Sequence, residues 1–473
     1  MIGKIPEDDV LENITFDELT PGRSGALTRT LSKDDIDLFA ASSGDLNPAH
    51  MDEAYAKSHR FHDVIGHGMW AGALISSVLG TVLPGPGTIY LEQNVKFRRP
   101  VKIGDRITAT VTVREKRTDK PVVTLDCSCV NQLGEVVVEG EAVVLAPTEK
   151  IRQPRPRMPD VEILNHDHYH ALIASCRNMP PLRTAVVHPV KPDVIKAASD
   201  AVRESLIIPV LVGPEARIKK AAEEAGVDIS AWELVATEHS HGAAAKSVEL
   251  AAHGMVDAIM KGALHTDELM ATVVRSSSGL RTERRISHAF LMDIPTYHKP
   301  LIITDAAVNI APTLSEKADI CQNAICLWRV LFGIETKPKV AILAAVETVM
   351  PQMPATIEAA ALCKMGDRGQ IDGGIIDGPL ALDNAISAAA AADKGIVSLV
   401  AGDADILVTP NIEAGNMVAK QLTFLGRADA AGIVLGARVP IMLTSRADSL
   451  RSRLMSCALA VKIANARKKG LIK

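Results

Sequence analysis

Residues 146–160 read APTEKIRQPRPRMPD, four prolines set in a dense run of charge. Proline fixes φ and removes a backbone donor, so this stretch suits neither a helix interior nor a sheet interior and reads as a joint. The patterning on its two sides differs in kind. With 473 residues, more than one folding unit is expected, and the boundaries fall at 1–147 for the first domain, 148–164 for a Pro-rich linker and 165–473 for the second.

Before the joint, SKDDIDLFAASSG (32–44) offers Ser32 as an N-cap and Gly44 as a stop, with apolar Ile36, Phe39 and Ala40 between them. A second small helix is expected around DEAYAKSH (52–59). HGMWAGALISSVLGTVL (67–83) is apolar nearly all round, as a buried helix is. Strand-like runs follow at TIYLEQNVKF, RITATVTVREKR, VVTLDCSCV and EVVVEGEAVVLA. One buried helix followed by an antiparallel meander predicts a sheet wrapped round that helix, an α+β hot dog domain.

After the joint, β and α patterns alternate. Strand candidates TAVVHPV, IPVLVG, DAIMKGA, LIITDAA, KVAILAAV, DILVTPN and IVLGARVPIMLTS are interleaved with Ala-rich helices such as PDVIKAASDAVRESL and EARIKKAAEEAG. Alternation of this kind implies parallel sheets covered by helices. About 310 residues is long for one sheet, so two α/β lobes with parallel sheets and a cleft between them are expected.

Composition narrows the function classes. A hydrophobic content of 47% is ample for burial, while a formal charge of −4 and 3% aromatic residues argue against nucleic acid as partner. No apolar run is long enough to span a bilayer and the acidic start is no secretory signal, so no membrane partner and a cytoplasmic location are expected. The seven cysteines form no CxxC pair, and Cys127 and Cys129 read as packing in a strand.

Two places carry chemistry. In GDLNPAHMD (44–52), an acid and a histidine stand five residues apart, which a helix would turn roughly 140° from each other. Gly44, Asn47 and Pro48 argue against regular helix, leaving a loop to aim both side chains. Asp45 and His50 together can hold a water, one accepting its proton and the other returning one to the substrate. Attack on an α,β-unsaturated thioester drives charge onto the thioester oxygen, and the N–H of Gly68 at the start of the buried helix is a donor for it. Asn47 is expected beside the substrate, shaping the loop through its own turn chemistry. His59, His62 and His67 lack the i, i+4 spacing of a helical zinc site, and no metal is expected there.

The second place is the end of the apolar run at 433–445, where Ser445 and Arg446 emerge as ligand groups do in parallel sheets. Arg446 can grip phosphate with two donors, Ser445 can donate to a developing oxyanion, and Asp448 can accept a thiol proton. No phosphate-binding glycine loop or serine-hydrolase elbow follows any strand. Asp372, Asp377 and Asp383 beside Gly and Pro read as turn formers, and the histidines of HDHYH (166–170) as solvated.

SGDLNPAHMDEAYAKSHRFHDVIGHGMWAGAL with FRRPVKIGDRITATVTV resembles the MaoC-like (R)-specific enoyl-CoA hydratases over roughly residues 15–147. That resemblance implies Asp45 and His50 as the catalytic pair, Gly68 as the oxyanion donor and a fold that dimerises. Residues 165–473 resemble the phosphate acetyltransferase and phosphate butyryltransferase family through MKGALHTDELM, LIITDAAVNIAPTLSEKADI, DILVTPNIEAGNMVAKQL and LGARVPIMLTSRADS. This implies acyl transfer between CoA and phosphate by direct attack, with Ser445 on the carbonyl oxygen and Arg446 on phosphate. Thr266, Asp305, Asn309 and Arg438 are expected to contact substrate.

The chain departs from that pattern where acetyl-transferring relatives place the base Asp, which is Ser452 here, and where they carry an Arg, which is Ala271. The expectation is a bifunctional homo-oligomer acting on acyl-CoA and acyl phosphate, with CoA thioesters and phosphate as substrates and no cofactor. One rival is an active hydratase joined to a degenerate CoA-binding scaffold. Another makes the first half a thioesterase or an acyl-carrier dehydratase.

Overall fold

The structure is a computed structural model that describes residues 10–58, 60–158, 161, 163, 167–443 and 449–472. The chain divides into two compact units, Met1–Ile163 and Leu164–Lys473.

In the first unit the elements run β1 (Val10–Glu12), β2 (Ser24–Thr30), α1 (Lys33–Ser43), α2 (Pro48–Met51), α3 (Glu53–Ser58), α4 (Gly68–Thr81), β3 (Ile89–Phe97), β4 (Arg106–Lys116), β5 (Val122–Val130), β6 (Val136–Leu145) and β7 (Arg152–Pro154). Five of the strands form one antiparallel sheet in the order β2-β4-β5-β6-β3. Period-two alternation explains it: Ile107, Ala109, Val111 and Val113 of β4, with Val123, Leu125, Cys127 and Cys129 of β5, all point to one buried face. Against that face lies α4, burying Trp70, Leu74, Ile75, Val78 and Leu79. The hot dog arrangement is therefore the one the helix-then-meander pattern implies, and both strand cysteines are core residues.

The joint differs from the expected linker in one respect. Arg152–Pro154 pairs antiparallel with Val10–Glu12, and Asn13 holds this pairing by donating to Glu149 O and accepting from Ile151 N. Arg152 and Gln153 keep the N–H groups a strand needs, and an outermost strand tolerates Pro154. Residues 148–154 thus belong to the first unit.

The second unit contains α5 (Asp167–Ala174), β8 (Leu182–Val187), α6 (Pro192–Arg203), β9 (Ile207–Gly213), α7 (Glu215–Ala225), β10 (Glu233–Ala236), α8 (Ser240–Ala252), β11 (Ala258–Lys261), α9 (Thr266–Val273), β12 (Ser287–Asp293) and β13 (Leu301–Thr304). It continues through α10 (Leu314–Phe332), β14 (Lys339–Leu343), α11 (Pro354–Asp367), β15 (Ile375–Leu380), α12 (Leu382–Ile386), α13 (Ala388–Asp393), β16 (Ile406–Val408), α14 (Ile412–Phe424), β17 (Asp429–Leu435), β18 (Ile441–Met442) and α15 (Leu450–Lys468). One eleven-stranded sheet runs through it, in the order β10-β9-β8-β11-β18-β17-β12-β13-β16-β14-β15.

Both flanks of that sheet are parallel, as the alternating pattern predicts, but they are joined in one sheet where more than one was expected, because the antiparallel centre links them edge to edge. The centre is antiparallel: β17 pairs antiparallel with β18 and with β12, and β12 antiparallel with β13. The run at 433–445, expected as a single strand, turns back at Gly436 (φ 76), where a Cβ would lie 2.4 Å from Arg285 O. Alternate strand residues face opposite sides, Val186 and Leu211 into one core with α6, α10 and α15, Val187 and Val210 into another with α8 and α9. Residues 167–170 of HDHYH open α5, and His166 lies outside the described residues. Among the described residues no helix is long and apolar enough to cross a membrane.

Two glycines of the first unit make opposite predictions. A Cβ on Gly140 of β6 would lie 1.9 Å from Asn94 O on β3, whereas one on Gly80 of α4 meets nothing within 4 Å. Gly140→Ala should destabilise the first unit by about 2 kcal/mol or more through the forced separation of two paired strands, and Gly80→Ala should stabilise it by about 0.5–1 kcal/mol. Urea unfolding of the two variants checks the sign of each.

Candidate functional sites

The first site begins where α1 stops. Ser32 caps α1 by accepting from Asp35 N, and Gly44 ends it in the left-handed region, φ 75. The chain is not all loop beyond that point. Pro48–Met51 forms the short helix α2, with Pro48 at its first position, where no intrahelical N–H is needed, and Asn47 as N-cap accepting from Ala49 N at 3.1 Å. Proline here starts a helix. Asn47 spends its side-chain carbonyl on that cap, and its N–H donates to Asp45 Oδ1 at 3.2 Å.

His50 therefore rides on α2, half-buried, while Asp45 is exposed on the preceding turn. His50 Nδ1 lies 2.7 Å from Ile65 O. A carbonyl only accepts, so Nδ1 carries the hydrogen and Nε2 of the neutral ring keeps a bare lone pair. His67 stacks against it with ring centroids 4.1 Å apart, and Phe39 backs His67 at 4.9 Å. His67, 3% exposed, donates from Nε2 to Asp45 O at 3.0 Å, which leaves its Nδ1 buried without a hydrogen-bond partner. Ligand-type atoms of Asp45, His50 and His67 all lie within 4.8 Å of one another. The ring nitrogens His50 Nδ1 and His67 Nε2 are committed to carbonyls.

Gly68 opens α4 directly after His67, so its N–H belongs to the first turn, where helix N–H groups lack intrahelical acceptors. A Cβ there would stand 3.0 Å from the ring of Phe97, which explains the glycine. The sequence motif thus brings Asp45, His50 and Gly68 to adjoining elements, and the positioning contribution of His67 is one that its spacing from the other histidines conceals.

In the second unit only some of the expected residues are described. Ser445, Arg446 and Asp448 lie outside the described residues, as does His59 of the first unit. The residues flanking the 444–448 stretch are described: Leu443 follows buried β18, and Ser449 caps α15 by accepting from Ser452 N. Ser449 Oγ also donates to Asp429 Oδ1 at 3.0 Å. Ser452, standing where acetyl-transferring relatives place an acid, is buried, and its Oγ accepts from Ala430 N.

Asp305 and Asn309, each 3% exposed, are spent on their own loop. Asp305 accepts from the N–H groups of His288, Ala307, Val308 and Asn309 and from Asn309 Nδ2. Asn309 donates also to Ile286 O and accepts from Arg285 Nε at 2.8 Å. Both Asp305 oxygens and the Asn309 amide nitrogen are engaged within this loop and its neighbours, and the exposed cation that Asn309 orients is Arg285. Thr266 is the first residue of α9, beside Glu268, which pairs with His241 at 2.9 Å. Arg438 lies on the turn between β17 and β18 and lines a cavity with Arg281, Arg284 and Arg467.

Sequence reading missed His188. It follows β8 directly in the left-handed region, φ 53, is buried, and both ring nitrogens lack hydrogen-bond partners. Burial, then the nearby Arg217, holds its imidazole below the usual histidine range. The available signal was a histidine followed by proline at the end of an apolar strand.

Comparison with known proteins agrees with this division. Residues 19–127 match the family described as MaoC like domain, and residues 239–461 the one described as phosphate acetyl/butaryl transferase. A phosphate acetyltransferase of Rhizobium meliloti is 57% identical over 300 residues, 63% of this chain and 94% of that protein. A phosphate butyryltransferase of Clostridium acetobutylicum is 39% identical over 296 residues, 63% of this chain and 98% of its own. Among solved structures, a branched-chain phosphotransacylase from Enterococcus faecalis superposes with TM-score 0.53 at 30% identity, over 60% of this chain and 99% of its own. An R-hydratase from Pseudomonas aeruginosa is 45% identical over 33% of this chain and 99% of its own, with TM-score 0.32. The chain belongs through its second unit to the phosphate acetyl/butyryl transferase family, and its first unit is a MaoC-like domain fused to it.

Proposed function

We propose that the protein is a bifunctional CoA-thioester enzyme of the cytoplasm, hydrating trans-2-enoyl-CoA to (R)-3-hydroxyacyl-CoA in its first unit and moving an acyl group between CoA and phosphate in its second. The observation that carries the first activity is the locked tautomer of His50. With Nδ1–H held by Ile65 O, Nε2 is the nitrogen left to act as base, on a ring that has a nitrogen within 4.8 Å of an Asp45 carboxylate oxygen. Asp45 holds a water, His50 Nε2 takes its proton as the oxygen bonds to C3, and the imidazolium returns a proton to C2. Charge passing through the thioester oxygen is met by the Gly68 N–H at the α4 N-terminus.

For the second activity the support is kinship at 57% identity across nearly the whole length of a phosphate acetyltransferase. The CoA thiol, deprotonated by Asp448, attacks the carbonyl of an acyl phosphate. Ser445 donates to the oxyanion, and phosphate leaves along the broken C–O bond to Arg446. Ser452, buried and accepting from Ala430 N, favours a second reading in which this unit is a CoA-binding scaffold without turnover. Ile89, Tyr90, Leu91 and Phe97, exposed on edge strand β3, support association of two copies. Sedimentation of the full chain should give at least a dimer.

Hydration is read as loss of enoyl-thioester absorbance with crotonyl-CoA. Asp45→Ala and His50→Ala should each lower kcat by about a hundred- to ten-thousandfold and leave acyl transfer intact. Unchanged hydration in either variant sinks this assignment.

Acyl phosphate formation from acetyl-CoA and from butyryl-CoA tests the second unit. Ser445→Ala should cost about a hundredfold or more in kcat, and Arg446→Ala should raise KM for phosphate. No turnover by the wild type with either acyl group establishes the scaffold reading instead.

A further inference from the structure

A cavity of about 490 Å³ lies where the loop before β12, the turn after β17, the middle of α10 and the last turn of α15 meet. Four guanidinium groups line it, those of Arg281, Arg284, Arg438 and Arg467, against the lone carboxylate of Glu283. Among the described residues none of the four forms an ion pair, although long cationic side chains usually find a partner or reach water. Arg467 is the sharpest case: its Nε and Nη1 are buried with no hydrogen-bond partner. Burial first, and then the neighbouring Arg284, hold its guanidinium below the usual range. Arg284 Nη1 has only the sulfur of Cys326, at 3.3 Å.

A partly buried guanidinium with two buried, unpartnered nitrogens beside another cation is costly to the fold unless an anion completes it. Guanidinium forks match phosphate oxygens two at a time, and several together favour more than one negative charge. The remaining wall is apolar, from Leu327, Leu435, Ile463 and Ile472, and receives uncharged carbon. We propose that this cavity is a binding site for a small organic phosphate carrying at least two negative charges. Its Arg467 lies far along α15 from Ser449, the residue that follows the stretch carrying Ser445, Arg446 and Asp448 in the sequence. Ser449 caps the first turn of α15 and Arg467 stands on the last; at about 1.5 Å per residue the helix separates them by roughly 27 Å.

Cys326 reports on occupancy, because its half-exposed thiol lines the cavity, and half-exposed Cys363 outside it is an internal reference. The full chain is alkylated with iodoacetamide, with pyrophosphate, phenyl phosphate or citrate present, and labelling at each cysteine is followed by peptide mass spectrometry. At ten times its Kd, phenyl phosphate or pyrophosphate should slow labelling of Cys326 about tenfold and leave Cys363 unchanged. The double variant Arg284→Met, Arg467→Met should lose that protection, while its Tm without ligand equals or exceeds that of the wild type, since the unpartnered buried nitrogens of Arg467 and the neighbouring like charge are gone. Protection that persists in the variant, or no protection of the wild type by either phosphate, overturns the proposal. Equal protection by citrate overturns the phosphate assignment.

Discussion

The first site depends on two backbone carbonyls. Ile65 O takes the Nδ1 hydrogen of His50, and Asp45 O takes the Nε2 hydrogen of His67. Carbonyls do not titrate, so they select a tautomer without adding a competing charge, which a carboxylate partner would do. Ile65 is itself positioned from the sheet side: it forms a bridge with Lys102, and Gly66 N donates to Val101 O on the connection between β3 and β4. A Cβ at Gly66 would lie 2.6 Å from Leu31 Cδ2, so the segment packs against the start of α1 as well. The tautomer of one histidine is in this way tied to the packing of the whole unit.

This dependence explains what was legible in the sequence. Asp45 and His50 could be read as a pair because Gly44, Asn47 and Pro48 mark a chain that changes direction, and direction is a local property. Ile65 O could not be read, because a carbonyl has no letter of its own. The same limit hid His67, whose ring meets Asp45 O across 22 residues. Asp305 and Asn309 were visible as polar letters after an apolar strand, yet such letters do not distinguish a group that awaits a ligand from one consumed by its neighbours.

At the level of the fold, β3 to β6 and α4 were legible because one face is buried and the period shows. Strand β2 was not: its seven residues are exposed or half-exposed, so the alternation carries little contrast. Strand β12 fails for the opposite reason, being buried almost throughout at the centre of the sheet, with no polar face to set a period. The hairpin of β17 and β18 was read as one strand because both arms are apolar, and Gly436 and Pro440 were the only punctuation. A fully apolar run states that a segment is inside without stating its direction.

The second unit treats its buried charges in two ways. The Asp305 carboxylate accepts from five N–H donors, an arrangement that satisfies it and fixes the loop between β13 and α10 at modest net gain, since each bond replaces one to water. Arg467 sits among neighbours that offer its Nε and Nη1 nothing, beside a like charge. Packing alone does not require the second arrangement, because an apolar side chain of similar length would fill the space beside Leu327 and Ile463 without desolvating a cation. A residue that opposes folding where a neutral one would serve is explained by what it does when something else is present, and that distinguishes the arginine cavity from the satisfied network around Asp305.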